Sequence, residues 1–255
     1  MAEIDKNGAA AGVSGKRLDD APLRKRFYEA VAVGASADGH RVLLDGRPIR
    51  TPAKKAAVVP SAGLAERLAE EWQAQQTVID PASMPMTRLV NTAIDGIAGQ
   101  EHAVRDDVAK YAGSDLLCYR AGHPQELADR QAKCWDPVLA WFAELHEARF
   151  VTIQGVMPVK QSEAVLAAFR STLDREGALS LAALHVVTTM TGSAVLAMAL
   201  RQGYANSAQI WDLAHVDEDW QISHWGEDFE ASERRDKRWR EFSAAAELLS
   251  LIGPE

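Results

Sequence analysis

The stretch FYEAVAVGASADGHRVLLDGRPIRTPAKKAAVVP, residues 27–60, decides the fold of the N-terminal region. It consists of short apolar runs separated by turn signals, chiefly the pairs Asp38-Gly39 and Asp45-Gly46, which suit tight hairpin turns that need positive φ. The pattern predicts a meander of four short strands, the last of them within residues 55–60. Four short strands cannot close a hydrophobic core alone, so we expect a helix to cover one face of the sheet.

The segment that follows the meander supplies the covering helix. Leu64, Leu68 and Trp72 are spaced by four residues, after a start signal at Pro60-Ser61. Two prolines in DPASMPM then interrupt the chain, and helical periodicity dominates afterwards. The fold class is therefore α+β. We expect a flexible arm, a small β-rich N-terminal domain with a covering helix, and a larger all-α C-terminal domain, at residues 1–22, 23–84 and 85–255 respectively.

A polar stripe marks the first helical segment of the predicted C-terminal domain. Arg88, Asn91 and Asp95 fall along one side of a helix predicted over residues 86–111. These side chains could contact a partner, but we favour an internal stripe that orients the two domains.

Two further signals shape the predicted helical domain. Asp136-Pro137 is a typical helix start, with Asp as the N-cap and Pro at the first helical position. Residues 181–201 are apolar nearly all round, which predicts one central helix. In its middle, Thr191-Gly192-Ser193 would let a neighbouring backbone approach closely.

The composition excludes several classes of protein. The net charge is −8, and non-specific nucleic-acid binding depends on phosphate neutralisation by Lys and Arg, so we expect no nucleic-acid partner. Cys118 and Cys134 make neither a metal-spaced pair nor a disulfide framework, which fits a reducing compartment. The N-terminus lacks the apolar run of a secretory signal and the composition of a transit peptide. We therefore expect a cytoplasmic protein without membrane insertion.

Motifs for common catalytic chemistry are missing from the sequence. It contains no GxxxxGK[ST] phosphate loop, no GxGxxG after a strand, no GxSxG elbow, no HExxH and no CxxC. ATP hydrolysis, dinucleotide redox chemistry and serine hydrolysis of that type therefore lack a basis in the sequence. We expect neither enzymatic activity nor a cofactor.

The stretch Val216–Arg240, VDEDWQISHWGEDFEASERRDKRWR, combines aromatic rings with acids. Such a mixture indicates either a recognition surface or a metal site. The metal alternative is a metal-dependent hydrolase that uses the acidic segment from His215 to Asp228, in which His215 and Asp219 are four residues apart and His224 follows. Because His and Asp at this spacing are common in acidic helices, the sequence favours a protein without a metal.

The second half of this stretch also has an ordinary structural interpretation. Three acid–base pairs have i, i+4 spacing with the acid first, which stabilises a helix by about 0.3 kcal/mol per pair. These pairs are Glu230–Arg234, Glu233–Lys237 and Asp236–Arg240. On this physical argument alone, Glu230 is a helix-stabilising charge.

Ordered blocks from about Arg26 to about Ala246 resemble one protein family, the assembly chaperones of the α subunit of the F₁ sector of ATP synthase. The blocks are RFY…VLLDGRPIRTP, LAEEWQAQ…IDPASMPMTRLVNTAIDG, YAGSDLLCYR, RQ…WDPVLAWF, TGSAVLAMAL and VDEDWQISHWGEDFEASERR. The resemblance implies an ATP-independent chaperone that binds free α, shields its β-contacting surface and releases it during hexamer assembly. It also implies a β-containing N-terminal domain joined to a helical C-terminal domain. Eukaryotic members begin with a targeting segment, and the composition expected of one is not found at the N-terminus of this sequence. The sequence is therefore typical of a bacterial cytoplasmic homologue.

The resemblance also points to partner-binding residues. The important acidic position of the family lies in the block after Trp-Gly and matches Glu230 here, with Glu233 as its neighbour. Interface physics suggests that aromatic side chains anchor the partner and acids select Arg or Lys on it. The further candidates are Trp220, Trp225, Phe229, Asp217 and Asp219, and we expect two of these three rings to lie in the core. We expect a monomer when the chain is free; a scaffold for another subunit is the second alternative.

Overall fold

The computed structural model describes residues 22–155 and 157–253. The predicted arm therefore lies outside the described residues, except for Pro22. The strands are short, and all but the last two lie in the N-terminal region. They are β1 (Arg24–Lys25), β2 (Val31–Ser36), β3 (Gly39–Leu44), β4 (Arg47–Pro48), β5 (Val78–Ile79), β6 (Tyr119–Arg120) and β7 (Ile153–Gln154). β2, β3 and β4 form an antiparallel sheet in that order, β1 pairs antiparallel with β5, and β6 pairs parallel with β7.

Helices dominate the rest of the described chain. They are α1 (Ala62–Ala74), α2 (Pro85–Thr92), α3 (Glu101–Ala112), α4 (Gln125–His146), α5 (Glu163–Leu173), α6 (Ala178–Thr191), α7 (Ala194–Arg201), α8 (Ser207–Ala214), α9 (Val216–Trp225) and α10 (Phe229–Ile252). A π-helical turn, Ala93–Ile97, extends α2. The α+β class is confirmed. None of the described helices is at once long enough and apolar enough to span a membrane.

The predicted meander is confirmed for its first three strands. Asp45 and Gly46 connect β3 to β4 with φ of 48° and 78°, as the hairpin signal requires. The predicted fourth strand, residues 55–60, is wrong as a strand. In the described structure the strand-type pairing of this segment is limited to isolated bridges, from His40 to Val59 and from Arg50 to Ala56, because the turn with Lys54 at φ 65° brings the chain back for single contacts rather than for a ladder.

The covering helix is confirmed as α1. Ser61 caps it by accepting a hydrogen bond from the Leu64 amide at 3.2 Å. Leu64 and Leu68 are buried, and the Tyr28 hydroxyl beneath the helix donates to the Trp72 carbonyl at 2.6 Å. The amphipathic spacing in the sequence therefore places the helix correctly on the sheet.

Buried side chains of the N-terminal sheet and of the C-terminal helices belong to one hydrophobic cluster, which runs from Tyr28 to Leu249. α10 also reaches back to α1. Arg67 Nε lies 3.0 Å from a carboxylate oxygen of Glu247, and the hydroxyl of Ser61, at the start of α1, donates to the Leu251 carbonyl at 3.0 Å. The boundary near residue 84 stays a prediction.

One member of the polar stripe, Asp95, connects the loop after β4 to the helical region. Asp95 accepts hydrogen bonds from the Thr51 hydroxyl at 2.7 Å and from the Ala53 amide at 2.9 Å, which fixes the loop after β4 against the helical region. Arg88 pairs with Glu241 of α10. The helix predicted over 86–111, with Gly96 or Gly99 as its candidate break, is divided by a turn at residues 98–100 that contains Gly99 and separates the π-helical turn from α3.

Two helix predictions are wrong. Asp136-Pro137 does not start a helix, because α4 runs through it and buries Trp135 and Val138 on one face. Residues 181–201 are two helices, since Gly192 takes a left-handed conformation with φ 68° and ends α6. The close backbone approach at this point is confirmed: the Leu116 amide donates to the Gly192 carbonyl at 3.1 Å.

Candidate functional site at the corner between α9 and α10

Local capping signals define the corner between α9 and α10. α9 ends at Gly226, whose φ of 86° favours a glycine. Asp228 then caps α10 by accepting a hydrogen bond from the Ala231 amide at 2.8 Å. The chain therefore reverses within three residues, and the side chains on either side of the turn lie at the protein surface.

The three candidate rings have different environments. Trp220 is buried and stacks on His224, with ring centroids 4.1 Å apart. Trp225 and Phe229, which flank the turn, are 74% and 77% exposed. The expectation that two of the three rings lie in the core is therefore wrong. Both exposed rings lie beside the turn at Gly226, within a run of residues, 223–230, that are all exposed.

Trp225 is exposed but supported. Its ring meets that of buried Trp220 edge to face, with a centroid distance of 5.5 Å. It also borders a groove of about 430 Å³ between α9 and α10. Residues that line this groove include Glu218, Ile222, Asp228, Arg234, Arg235 and Arg238. A large apolar ring is thus held at a fixed place beside both acidic and basic groups.

The candidate acids separate into an internal pair and an exposed pair. Asp217 accepts a hydrogen bond from Gln131 Nε2 of α4 at 2.7 Å, and Asp219 accepts one from Arg235 Nη1 of α10 at 2.5 Å. These two carboxylates hold α9 against its neighbours. Glu230 and Glu233 are exposed instead, so they are the candidate acids with solvent-facing carboxylates.

The predicted ion pairs along α10 are formed only in part. Glu230 lies 3.5 Å from Arg234, with side chains 82% and 66% exposed. The other two predicted pairs, those of Glu233 and Asp236, do not come within 4.0 Å in the described structure. An exposed pair of this kind contributes little to stability. The Glu230 carboxylate is therefore accessible to a partner at small structural cost.

The acidic segment does not assemble ligands for a metal ion. His215 is buried beside Trp211, and its Nδ1 lies 2.7 Å from the Trp211 carbonyl; burial lowers the pKa of this imidazole. His224 Nδ1 is 2.9 Å from the Trp220 carbonyl, and Asp219 faces Arg235. Among residues 22–155 and 157–253, no three His, Cys, Asp or Glu side chains are grouped to hold a metal. The hydrolase alternative gains no support from this geometry.

Comparisons with known proteins agree with the resemblance seen in the sequence. Residues 25–143 match the model of the family described as ATP12 chaperone protein. A crystal structure of a candidate chaperone from Agrobacterium tumefaciens superposes with a TM-score of 0.87 at 48% identity, covering 91% of this chain and 87% of that chain. Crystal structures of Atp12 from Paracoccus denitrificans and of one of its mutants each give a TM-score of 0.84 at 37% identity.

The match to the Paracoccus protein extends over nearly its whole length. The similarity covers 90% of this chain and 99% of that chain, and for the mutant 90% and 98%. It therefore includes the helical C-terminal region as well as the residues matched by the family model. The chain belongs to the ATP12 family of ATP synthase assembly chaperones.

Proposed function

We propose that this chain binds the free α subunit of the F₁ sector, shields the surface that α later presents to β, and releases α as the hexamer assembles. The observation that carries the proposal is the corner between α9 and α10, where two exposed rings, Trp225 and Phe229, stand beside the exposed acid Glu230. In a family of assembly chaperones, such a surface is suited to a client rather than to a small substrate.

The rings supply the apolar part of the interface. Aromatic residues are enriched at interface hot spots because they bury a large area with few rotatable bonds. Trp225 is also pre-positioned by its edge contact with Trp220, so little conformational entropy is lost when a client covers it. Phe229, at the first position of α10, adds a second exposed ring on the other side of the turn.

The acids make the interface selective for the charge of the client. Glu230 and Glu233 lie one turn apart on α10 with exposed side chains, and they favour a client surface that carries Arg or Lys. Because Arg234 already neutralises part of the Glu230 charge, exchange of Arg234 for a client cation changes the energy only modestly. Modest polar contacts of this kind suit a chaperone that must let its client go.

The interface with a client must include residues beyond the corner. A standard interface buries about 1,600 Å² in total, which is more than two rings and two acids provide. The corner is therefore a centre of binding within a larger contact. The proposed action requires no ATP and no bond cleavage by this chain.

Co-expression of the chain with F₁ α tests the proposal directly. We expect more soluble α and a complex that co-elutes on size exclusion, whereas co-expression with F₁ β gives neither. The double variant Trp225→Ser/Phe229→Ser, which removes both exposed rings, should lose the complex. If α solubility is unchanged and no complex forms, the proposal fails; capture of a different subunit would favour the scaffold alternative.

A further inference from the structure

A second surface, far from the corner in sequence, has the geometry of a strand acceptor. In the described chain β2 pairs with β3 on one side only, and β3 is in turn covered on its other side by β4 and by the bridge from His40 to Val59. β2 is thus an edge strand of six residues, VAVGAS. Natural edge strands are protected by charges, proline, bulges or a covering element. β2 carries neither a charge nor a proline.

The hydrogen-bond register shows which groups of β2 face outward. The Asp45 amide donates to the Ala30 carbonyl, and Ala32 pairs with Leu43, so the even-numbered residues direct their backbone groups at β3. Backbone groups alternate sides along an antiparallel strand. The N–H and C=O groups of Val31, Val33 and Ala35 therefore point away from β3, where an added strand would find them.

A groove runs along this open edge. It has a volume of about 650 Å³ and is bounded by β2 on one side and by α1 on the other. Its apolar lining comes from Val31, Ala32, Val33, Ala69 and Ala74. A strand added to β2 would thus place alternate side chains against the apolar lining, as in other complexes formed by strand addition.

The rim of the groove has one sign of charge. The charged side chains that line it are Glu66 and Glu70 of α1, both exposed. Glu70 is partly neutralised by Arg67 at 3.2 Å, whereas Glu66 has no ion pair within 4.0 Å in the described residues. The rim therefore complements basic side chains and repels acidic ones.

We propose that the groove between β2 and α1 binds an extended apolar segment flanked by Lys or Arg, which adds to β2 as an antiparallel or parallel strand. This inference rests on the proposed function in naming the occupant as a segment of the client. An unassembled subunit exposes strand edges that aggregate, and pairing such an edge with β2 would cap it. The chaperone would then hold its client at two surfaces, the groove and the corner.

The test uses the full chain and a short peptide of alternating lysine and valine with blocked termini. In amide NMR spectra we expect shifts confined to β2 and α1, and weaker binding of a matched peptide in which glutamate replaces lysine. Ala35→Pro removes an outward N–H at an exposed position and should weaken binding about fivefold, the effect of one hydrogen bond. Glu66→Lys should weaken it about threefold, as expected for one exposed charge.

Glu144→Lys, the same charge change at an exposed position of α4, is the control and should bind like the parent chain. Absence of shifts in β2 overturns the inference. So does peptide binding as tight as that of the parent chain by the folded variants Ala35→Pro and Glu66→Lys. Self-association through β2 without peptide binding also overturns it and marks this edge as an interface between copies. If both variants bind α with the affinity of the parent chain, the inference fails while the proposed function stands. If the peptide binds but α does not, the proposed function fails, while strand binding in the groove stands.

Discussion

Arg235 of α10 donates to Asp219 of α9 at 2.5 Å, and this contact connects the two helices on the inner side of their corner. The side chains are 25% and 29% exposed, so water screens the pair only in part. The exposed rings Trp225 and Phe229 lie on the turn between these two residues. The geometry of the candidate binding surface therefore depends on an ion pair that does not belong to the surface itself.

A double-mutant cycle on this pair should measure its contribution. We expect Asp219→Asn and Arg235→Gln to couple by about 1 kcal/mol in urea unfolding, since the pair is partly buried and well formed. The matched cycle on Glu230 and Arg234, whose side chains are 82% and 66% exposed, should show coupling close to zero. Equal coupling in both cycles would show that burial does not strengthen the inner pair.

The three rings near the corner should differ in how much they contribute to the free energy of unfolding. Trp220→Ala removes a buried ring and should lower the free energy of unfolding by about 3–5 kcal/mol. Trp225→Ala and Phe229→Ala alter exposed rings and should each change it by about 0.5 kcal/mol or less. Thermal unfolding of the three variants checks this order. A large loss for Phe229→Ala would mean that its ring supports the fold rather than a client.

Glu230→Lys should weaken binding of F₁ α while it leaves the thermal midpoint nearly unchanged. The side chain is exposed and its contact with Arg234 is weak, so reversal of its charge has little to disrupt within the chain. A client cation, in contrast, would meet a positive charge. Size exclusion of co-expressed chains gives the readout, and Asp236→Lys on the same helix is the control. A midpoint lowered by several degrees would instead assign Glu230 a structural role.

Local signals were sufficient to predict much of the fold. The turn at Asp45-Gly46 and the covering helix after Ser61 both appear as expected. The end of α9 also follows a local signal, because glycine is the residue that commonly ends a helix and Gly226 ends this one. These features depend on residues within a few positions of one another, so the sequence carries the whole physical reason for them.

Features that depend on distant neighbours were not predictable. Pro137 lies inside α4 because burial of Trp135, Val138 and Phe142 outweighs the loss of one backbone hydrogen bond. Gln131 was missed as the partner of Asp217, 86 residues away, and no local pattern could have identified it. The exposure of the rings at the corner was equally hidden, because α9 and α10, unlike α1, have no clear apolar stripe that shows which side faces the protein body.

Asp115 should give the stability of this chain an unusual pH dependence. The carboxylate is fully buried and accepts hydrogen bonds from the amides of Leu117 at 3.1 Å and Val195 at 3.0 Å, but burial dominates and raises its pKa from 3.8 to about 6. The folded protein therefore takes up this proton near pH 6, whereas the unfolded chain does so only near pH 4. From this group alone, stability rises as pH falls through 6, by about 1 kcal/mol between pH 7.5 and pH 5. Asp115→Asn cannot titrate and should lose this increment in urea unfolding at the two pH values. An identical pH dependence in the parent chain and in Asp115→Asn would show that the raised pKa is not linked to folding.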